Sequence, residues 1–191
     1  MHVPSISQCL EFFDRYEMLD NIRAHSFVVA RVAETLINDL HHCQKTKAPL
    51  PKKNETIAGA LMHDIAKTLC LEDGCLHAEQ GRSICEELGY PELGEIVAEH
   101  VLLSEFDTEL YMQGSFGPKE IVYYSDKRVR HDQIVSLAER LDYILERYGD
   151  NNPAKEERIR QNFRNTQIFE KHLFAFLSFP ASELEQHISH K

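Results

Sequence analysis

The chain contains no apolar run near the roughly 20 residues that a membrane helix needs. Its start, MHVPSISQCLEFF, lacks the basic-then-apolar order of a signal peptide. Its five cysteines share no repeating spacing, which fits reduced thiols better than a disulfide framework, and the expected location is the cytoplasm. Positive charge is short as well, since 21 lysines and arginines against 31 acids leave a formal net charge of −10. A polyanion needs a basic face, so neither nucleic acid nor a membrane is expected as partner. A small phosphorylated ligand needs only a few local cations and stays open. Strand signal is scarce, glycine (8) and proline (7) are few in 191 residues, and there is no internal repeat or low-complexity tract.

What remains is helical periodicity over most of the length, and the expected class is all-α. Ser5 or Ser7 caps a first helix carrying Leu10, Phe13 and Met18. Asp20 or Asn21 caps a second, to about Leu40, with the inner stripe Ile22, His25, Val29, Val32, Leu36 and Leu40. A polar, proline-containing loop (41–53) leads to Asn54, read as the cap of a central helix through Ile57–Leu69, IAGALMHDIAKTL. That helix is apolar nearly all round, which marks it as buried.

Further on, CLEDGC makes a turn. A helix from His77 ends at Leu88-Gly89 with His77, Gly81, Ile84 and Leu88 inward, and Pro91 opens another with Leu93, Ile96, Val97, His100 and Val101 inward. A loop over 103–118 precedes a helix carrying Val122, Ser125, Asp126 and Val129. A helix from Asp132 to Tyr148 packs Leu137, Leu141, Ile144 and Leu145 as core. Beyond Gly149, the spacing of Ile159, Phe163, Phe169, Leu173 and Phe176 indicates one or two amphipathic helices, suited to covering the bundle or to a homodimer contact. Ser182 and Glu185 have capping-box spacing. The domain expectation is a helical domain over residues 1–150, with its core at 21–149, and a helical extension over 151–191.

His63 and Asp64 stand in the middle of the central stretch. A buried carboxylate is costly unless paired or bound to metal. His25, His63, Asp64, His77, His100 and Asp126 each replace a core residue on the inner face of a helix, and they come from five helices. A bundle can aim such side chains at one point. Imidazole and carboxylate suit one or two divalent transition metals (Fe, Mn, Co, Ni or Zn), and a mixed set without thiolate argues against a closed structural zinc site. Lys67 shares the side of His63 and Asp64. Lys127, Arg128 and Arg130 flank Asp126 and form either a phosphate-binding knot or a solvated face. Cys70, Cys75, His77 and Cys85 are a weaker rival cluster of no familiar zinc spacing. Tyr123 and Tyr124 read as core rather than as base-stacking residues.

The order of His25, then His63-Asp64 in GALMHDIAK, then Asp126 in YYSDKRV resembles the HD-domain superfamily of metal-dependent phosphohydrolases over about residues 21–149. The nearest likeness is to small bacterial HDIG-type proteins of the YqeK-like branch, although Val101–Ser104 departs from that branch's pattern after the histidine. The resemblance implies a helical bundle in which His25, His63, Asp64 and Asp126 hold one metal, His77 and His100 add a second, and Asp64 bridges. It further implies hydrolysis of a phosphoester or phosphoanhydride, of a nucleotide or another small phosphorylated substrate, by metal-activated water. Asp64 and Lys67 are the expected catalytic residues, and Lys67, Lys127 and Arg130 the expected substrate contacts. A di-iron oxygenase on the same ligands and a non-catalytic nucleotide-binding module are the alternatives.

Overall fold

The computed structural model describes residues 2–188, apart from the side chains of residues 72 and 73, and shows an all-α fold. Helices α1 (Ile6–Arg15), α2 (Asp20–Cys43) and α3 (Lys53–Met62) are followed by the single turn α4 (Cys70–Asp73), then α5 (His77–Glu87) and α6 (Pro91–Ala98). The short α7 (Thr108–Met112) leads to α8 (Pro118–Lys127). A two-residue hairpin, β1 (Val129–Arg130) and β2 (Gln133–Ile134), precedes α9 (Leu137–Tyr148), α10 (Pro153–Ala175) and α11 (Leu184–His187).

The stripe on α2 is buried as its periodicity requires, from Ile22 to Leu40 with His25 among them. It lies along α3 and α8, while α5 packs on α6. The centre of the bundle is tight where α3 meets α6 and α8. A Cβ on Gly59 would stand 2.5 Å from Ile96 Cγ2 and 3.4 Å from Val122 Cγ2. Gly59→Ala is therefore expected to force these helices apart at a cost of about 1–3 kcal/mol, visible as a lower Tm in a thermal melt with the helical spectrum retained.

The central helix is shorter than its apolar run. It starts at Lys53, with Lys52 rather than Asn54 as N-cap, and ends at Met62. The chain then runs through tight turns, with the Ile65 amide donating to the Met62 carbonyl at 3.0 Å and the Lys67 amide to the Asp64 carbonyl at 2.9 Å. The cause is local. His63 Nδ1 hydrogen-bonds the Ala60 carbonyl at 2.7 Å, the acceptor that another helical turn would offer to the Asp64 amide. The HD dipeptide thus sits at a helix end, where its side chains are freed from helical spacing.

Other expectations change in the same way. The seventh helix begins at Leu137 rather than Asp132, because Ser136 and Glu139 form a capping box there; the residues before it make the hairpin, with His131 at φ 56°. The 103–118 loop contains α7, capped by the Asp107 carboxylate. Ser182 lies inside a 3-10 turn (Ala181–Glu183) rather than capping a helix. Leu10 and Val101 are exposed, and Leu141, Ile144 and Leu145 are only half-buried.

The segment after Gly149 begins with one long helix, α10, whose Phe163, Phe169 and Leu173 join the same core as α2 and α3. Arg128 fastens it. Its guanidinium donates to the Val135 carbonyl (2.8 Å), Glu170 (3.0 Å) and the Ala181 carbonyl (3.1 Å), and to the Tyr124 hydroxyl. Tyr123 donates to Asn162 Oδ1 at 2.7 Å. Both tyrosines are core residues, and Arg128 is a structural clamp.

Cys70 and Cys75 are joined in a disulfide, which corrects the expectation of five reduced thiols. Gly74, at φ 66°, turns the chain back so that the two Cα atoms lie 4.8 Å apart. Cys9, Cys43 and Cys85 are free. No described helix is long and apolar enough to cross a membrane.

Candidate metal centre

Six side chains converge from five parts of the chain, and Asp64 stands between them with its two oxygens facing opposite groups. Oδ2 lies 3.4 Å from His63 Nε2 and 3.9 Å from His25 Nε2. His25 Nε2 in turn meets Asp126 Oδ1 at 3.1 Å, and that oxygen is 3.9 Å from His63 Nε2. On the other side, Oδ1 lies 3.3 Å from His77 Nε2 and 3.6 Å from His100 Nε2, and those two nitrogens are 3.1 Å apart. The two groups, His25–His63–Asp64 and Asp64–His77–His100, are each compact enough to hold an ion, and they share the carboxylate.

The rings are aimed by the backbone. His63 closes α3 and His100 follows α6, and each turns Nδ1 back to the carbonyl three residues earlier, Ala60 at 2.7 Å and Val97 at 2.6 Å. His25, mid-way through its stripe on α2, turns Nδ1 to the His131 carbonyl on the hairpin at 2.7 Å. A carbonyl only accepts, so each Nδ1 carries the proton, and Nε2 is the ring atom left to offer a lone pair to a metal. Three rings thus turn Nε2 toward two carboxylates, the mixed nitrogen and oxygen donor set that suits a divalent cation. His63 Nε2 and Asp64 Oδ1 are fully buried without a hydrogen-bond partner. Buried polar atoms are rarely left so, and backbone-anchored imidazoles of this kind are the usual setting of metal-ligating histidines. The residues fit a divalent transition metal.

The electrostatics agree. Burial works against charge at Asp64, yet the Lys67 ammonium and the His63 ring hold its pKa well below the ordinary carboxylate value. Burial likewise opposes charge at Asp126, where Lys127 and His25 prevail in the same direction. Burial lowers His77 to about 4 and depresses His100, so both rings are neutral at physiological pH. His63 is raised: burial would lower it, but the Asp64 carboxylate beside it prevails.

Beside this cluster lies a cavity of about 260 Å³, bounded by Asp64, His77, His100 and Asp126 at one end. Lys67 lines it, with Nζ 2.7 Å from Asp64 Oδ2. Lys127 lines it too. It is buried, sits 3.3 Å from Asp126 Oδ2 and 4.3 Å from the Tyr123 ring centroid, and donates to the His100 carbonyl. Burial pulls its pKa down to about 8.

Arg130 is elsewhere. It is exposed on the hairpin with its guanidinium over the Tyr143 ring and does not line the cavity. The hairpin, which the sequence did not announce, turns it outward. Arg140 stands where Arg130 was expected, buried on α9 and 3.4 Å from Asp126 Oδ1, with its Nε unpartnered. Its signal was available: Arg140 falls on the Leu137–Ile144 stripe, as the histidines fall on theirs. Cys70 and Cys75 are bonded to each other and Cys85 packs in the core, which removes the rival zinc cluster. Outside the cluster, His131 is exposed, and His187 stacks on Phe179 with centroids 4.0 Å apart. His190 lies outside the described residues.

The HD domain family profile matches residues 22–144, well over half of the chain. The protein belongs to the HD domain family, and the matched span carries all six clustered residues. No curated protein and no solved structure gave a significant match.

Proposed function

We propose that the protein is a metal-dependent phosphohydrolase acting on a small phosphorylated substrate, with His25, His63, Asp64 and Asp126 holding one divalent metal and His77, His100 and Asp64 a second. The observation that carries this is the convergence of the Nε2 atoms of His25, His63 and His100 on two carboxylates held ionised, with His63 Nε2 and Asp64 Oδ1 left unsatisfied. Within the family, His77 and His100 on the far side of Asp64 keep the reading with the HDIG-type, YqeK-like branch.

A divalent metal at such a site supplies Lewis acidity and acidifies water near neutral pH. Water adds to phosphorus, the bond from phosphorus to the leaving oxygen breaks, and that oxygen ends protonated. The chain's own residues supply the rest. Asp64 and Asp126 fix the negative charge that draws cations, and the three backbone-anchored rings do not reorganise. Lys67, a third exposed at the cavity edge, is free to turn from Asp64 to a phosphoryl oxygen. Lys127 and Arg140 hold positive charge where the phosphoryl group gains negative charge.

The test is metal content of protein purified without chelator, followed by hydrolysis assays on phosphate monoesters, mononucleotides and diadenosine polyphosphates. About two equivalents of a transition metal with turnover of a phosphate ester is the expected result. Failure to take up any metal on titration would sink the proposal. Lys67→Met is expected to keep its metal and lose about 10- to 100-fold in kcat/KM, checked by elemental analysis beside steady-state kinetics.

A further inference from the structure

The cavity changes character with depth, and the part that does so lies mostly outside the matched domain. Arg140, Ile144 and Tyr148 fall four residues apart on α9, so they line one face in order, about 6 Å per step. Arg140 is tied to Asp126 at the metal end, Ile144 comes next, and Tyr148 lies at the outer end. A short connection, residues 149–152, returns the chain as α10, which packs back along α9. Ile159 and Phe163 on α10, again one turn apart, complete the wall opposite Ile144. The family match ends at residue 144, so Tyr148, Ile159 and Phe163 lie outside the matched span.

The middle of the cavity offers little to a polar ligand. Asn162 is the amide there, and both its ends are committed, Nδ2 to the Val101 carbonyl at 3.0 Å and Oδ1 to the Tyr123 hydroxyl at 2.7 Å. A sugar placed against Ile144, Ile159 and Phe163 would lose water from its hydroxyls there; the other polar lining on these two helices is the Tyr148 hydroxyl and Lys155, whose ammonium is tied to Asp150. An apolar group would shed its water favourably, and about 260 Å³ is at the small end for a ligand cavity.

We propose that Ile144, Ile159 and Phe163 form the leaving-group subsite, and that the substrate is a compact aryl or alkyl phosphate ester rather than a sugar phosphate. This rests on the phosphohydrolase reading for the position of the phosphoryl group. The phosphate sits among Lys67, Lys127 and Arg140, and the ester oxygen points along α9 toward the apolar wall. Helix α10, beyond covering the core, is the specificity element.

Non-hydrolysable phosphonates separate the two readings, because their binding needs no turnover. Isothermal titration of the manganese-loaded full chain with methylphosphonate, benzylphosphonate and the phosphonate analogue of ribose 5-phosphate is the experiment. Benzylphosphonate is expected to bind at least about tenfold tighter than methylphosphonate, with the sugar phosphonate no tighter than methylphosphonate. Ile159→Gln, at a half-buried position that tolerates a polar group better than Phe163, is expected to erase the benzyl advantage, with a normal Tm showing that the fold is kept. Equal affinity for benzyl and methyl ligands, or a preference for the sugar phosphonate, would overturn the subsite and leave the phosphohydrolase reading standing. A benzyl advantage lost in Ile159→Gln without hydrolysis of any ester would uphold the subsite and overturn the hydrolase. Binding of none of the three would overturn both.

Discussion

Asp64→Ala is expected to empty both metal positions at once and to lower kcat/KM by at least about a thousandfold, roughly 4 kcal/mol of transition-state stabilisation. The expectation follows from the two faces of one carboxylate, Oδ2 toward His25 and His63, Oδ1 toward His77 and His100. No other side chain in the cluster faces both groups. Asp64→Asn separates charge from shape, since it keeps the volume and one oxygen but offers no negative charge to a cation. Both variants should lose metal in elemental analysis, with Asn retaining more of the tighter site. The fold should survive, because Lys67, the cation left behind, is a third exposed and can turn to solvent. An Asp64→Ala protein with its full metal content would remove the site altogether.

The sequence made the donors legible because the bundle has one simple rule: an inward position should be apolar. Six residues break that rule, and the structure gathers all six. Arg140 breaks it too, but the stripe around it has the pattern of ordinary packing. The stripe's outer residues Ile144 and Tyr148 in fact line the cavity, so a partly apolar helix face served a site rather than the core. Arg130 was misplaced because its orientation depends on a two-residue hairpin whose only sign is His131 in a left-handed conformation, and such a turn leaves no periodic trace.

The break at His63 was hidden for a related reason. IAGALMHDIAKTL has the propensity and periodicity of an uninterrupted helix, and what ends it is one side chain bonding its own backbone. His100 repeats the device on α6. Two helices that stop on a histidine bring their last residues together, and a continuous helix through Asp64 would hold its carboxylate to helical spacing. The helix end and the site are thus one feature. The Cys70–Cys75 disulfide escaped notice because cysteine counting concerns whole frameworks, whereas this pair is closed by one glycine turn.

The second large effect is a separation of losses. His100→Ala is expected to remove only the position built on Asp64 Oδ1, leaving about one equivalent of metal and lowering kcat about 100-fold or more. Asp126→Ala is expected to remove the other position and also to destabilise the fold, because it takes from buried Lys127 its paired carboxylate and leaves the His100 carbonyl, the Tyr123 face and the more distant Asp64 against the repulsion of Arg140. Breaking one side of a buried ion pair costs about 3–5 kcal/mol when the remaining charge is kept. Lys127 can instead shed its proton, since its pKa is already only about 8 with Asp126 present and falls further without it. The unfolded chain keeps the proton up to its ordinary value near 10.4, so it binds more protons than the folded variant in that window. Stability of metal-free Asp126→Ala should therefore rise as pH rises from 7 toward 9 and fall as pH drops. Double replacement with Lys127→Met should remove that slope and restore stability. Urea unfolding of the three metal-free proteins at pH 6.5 and 9 measures it, and equal pH dependence in Asp126→Ala and the double variant would show that Lys127 is not held charged by Asp126 and that its neighbourhood is wetter than its burial indicates.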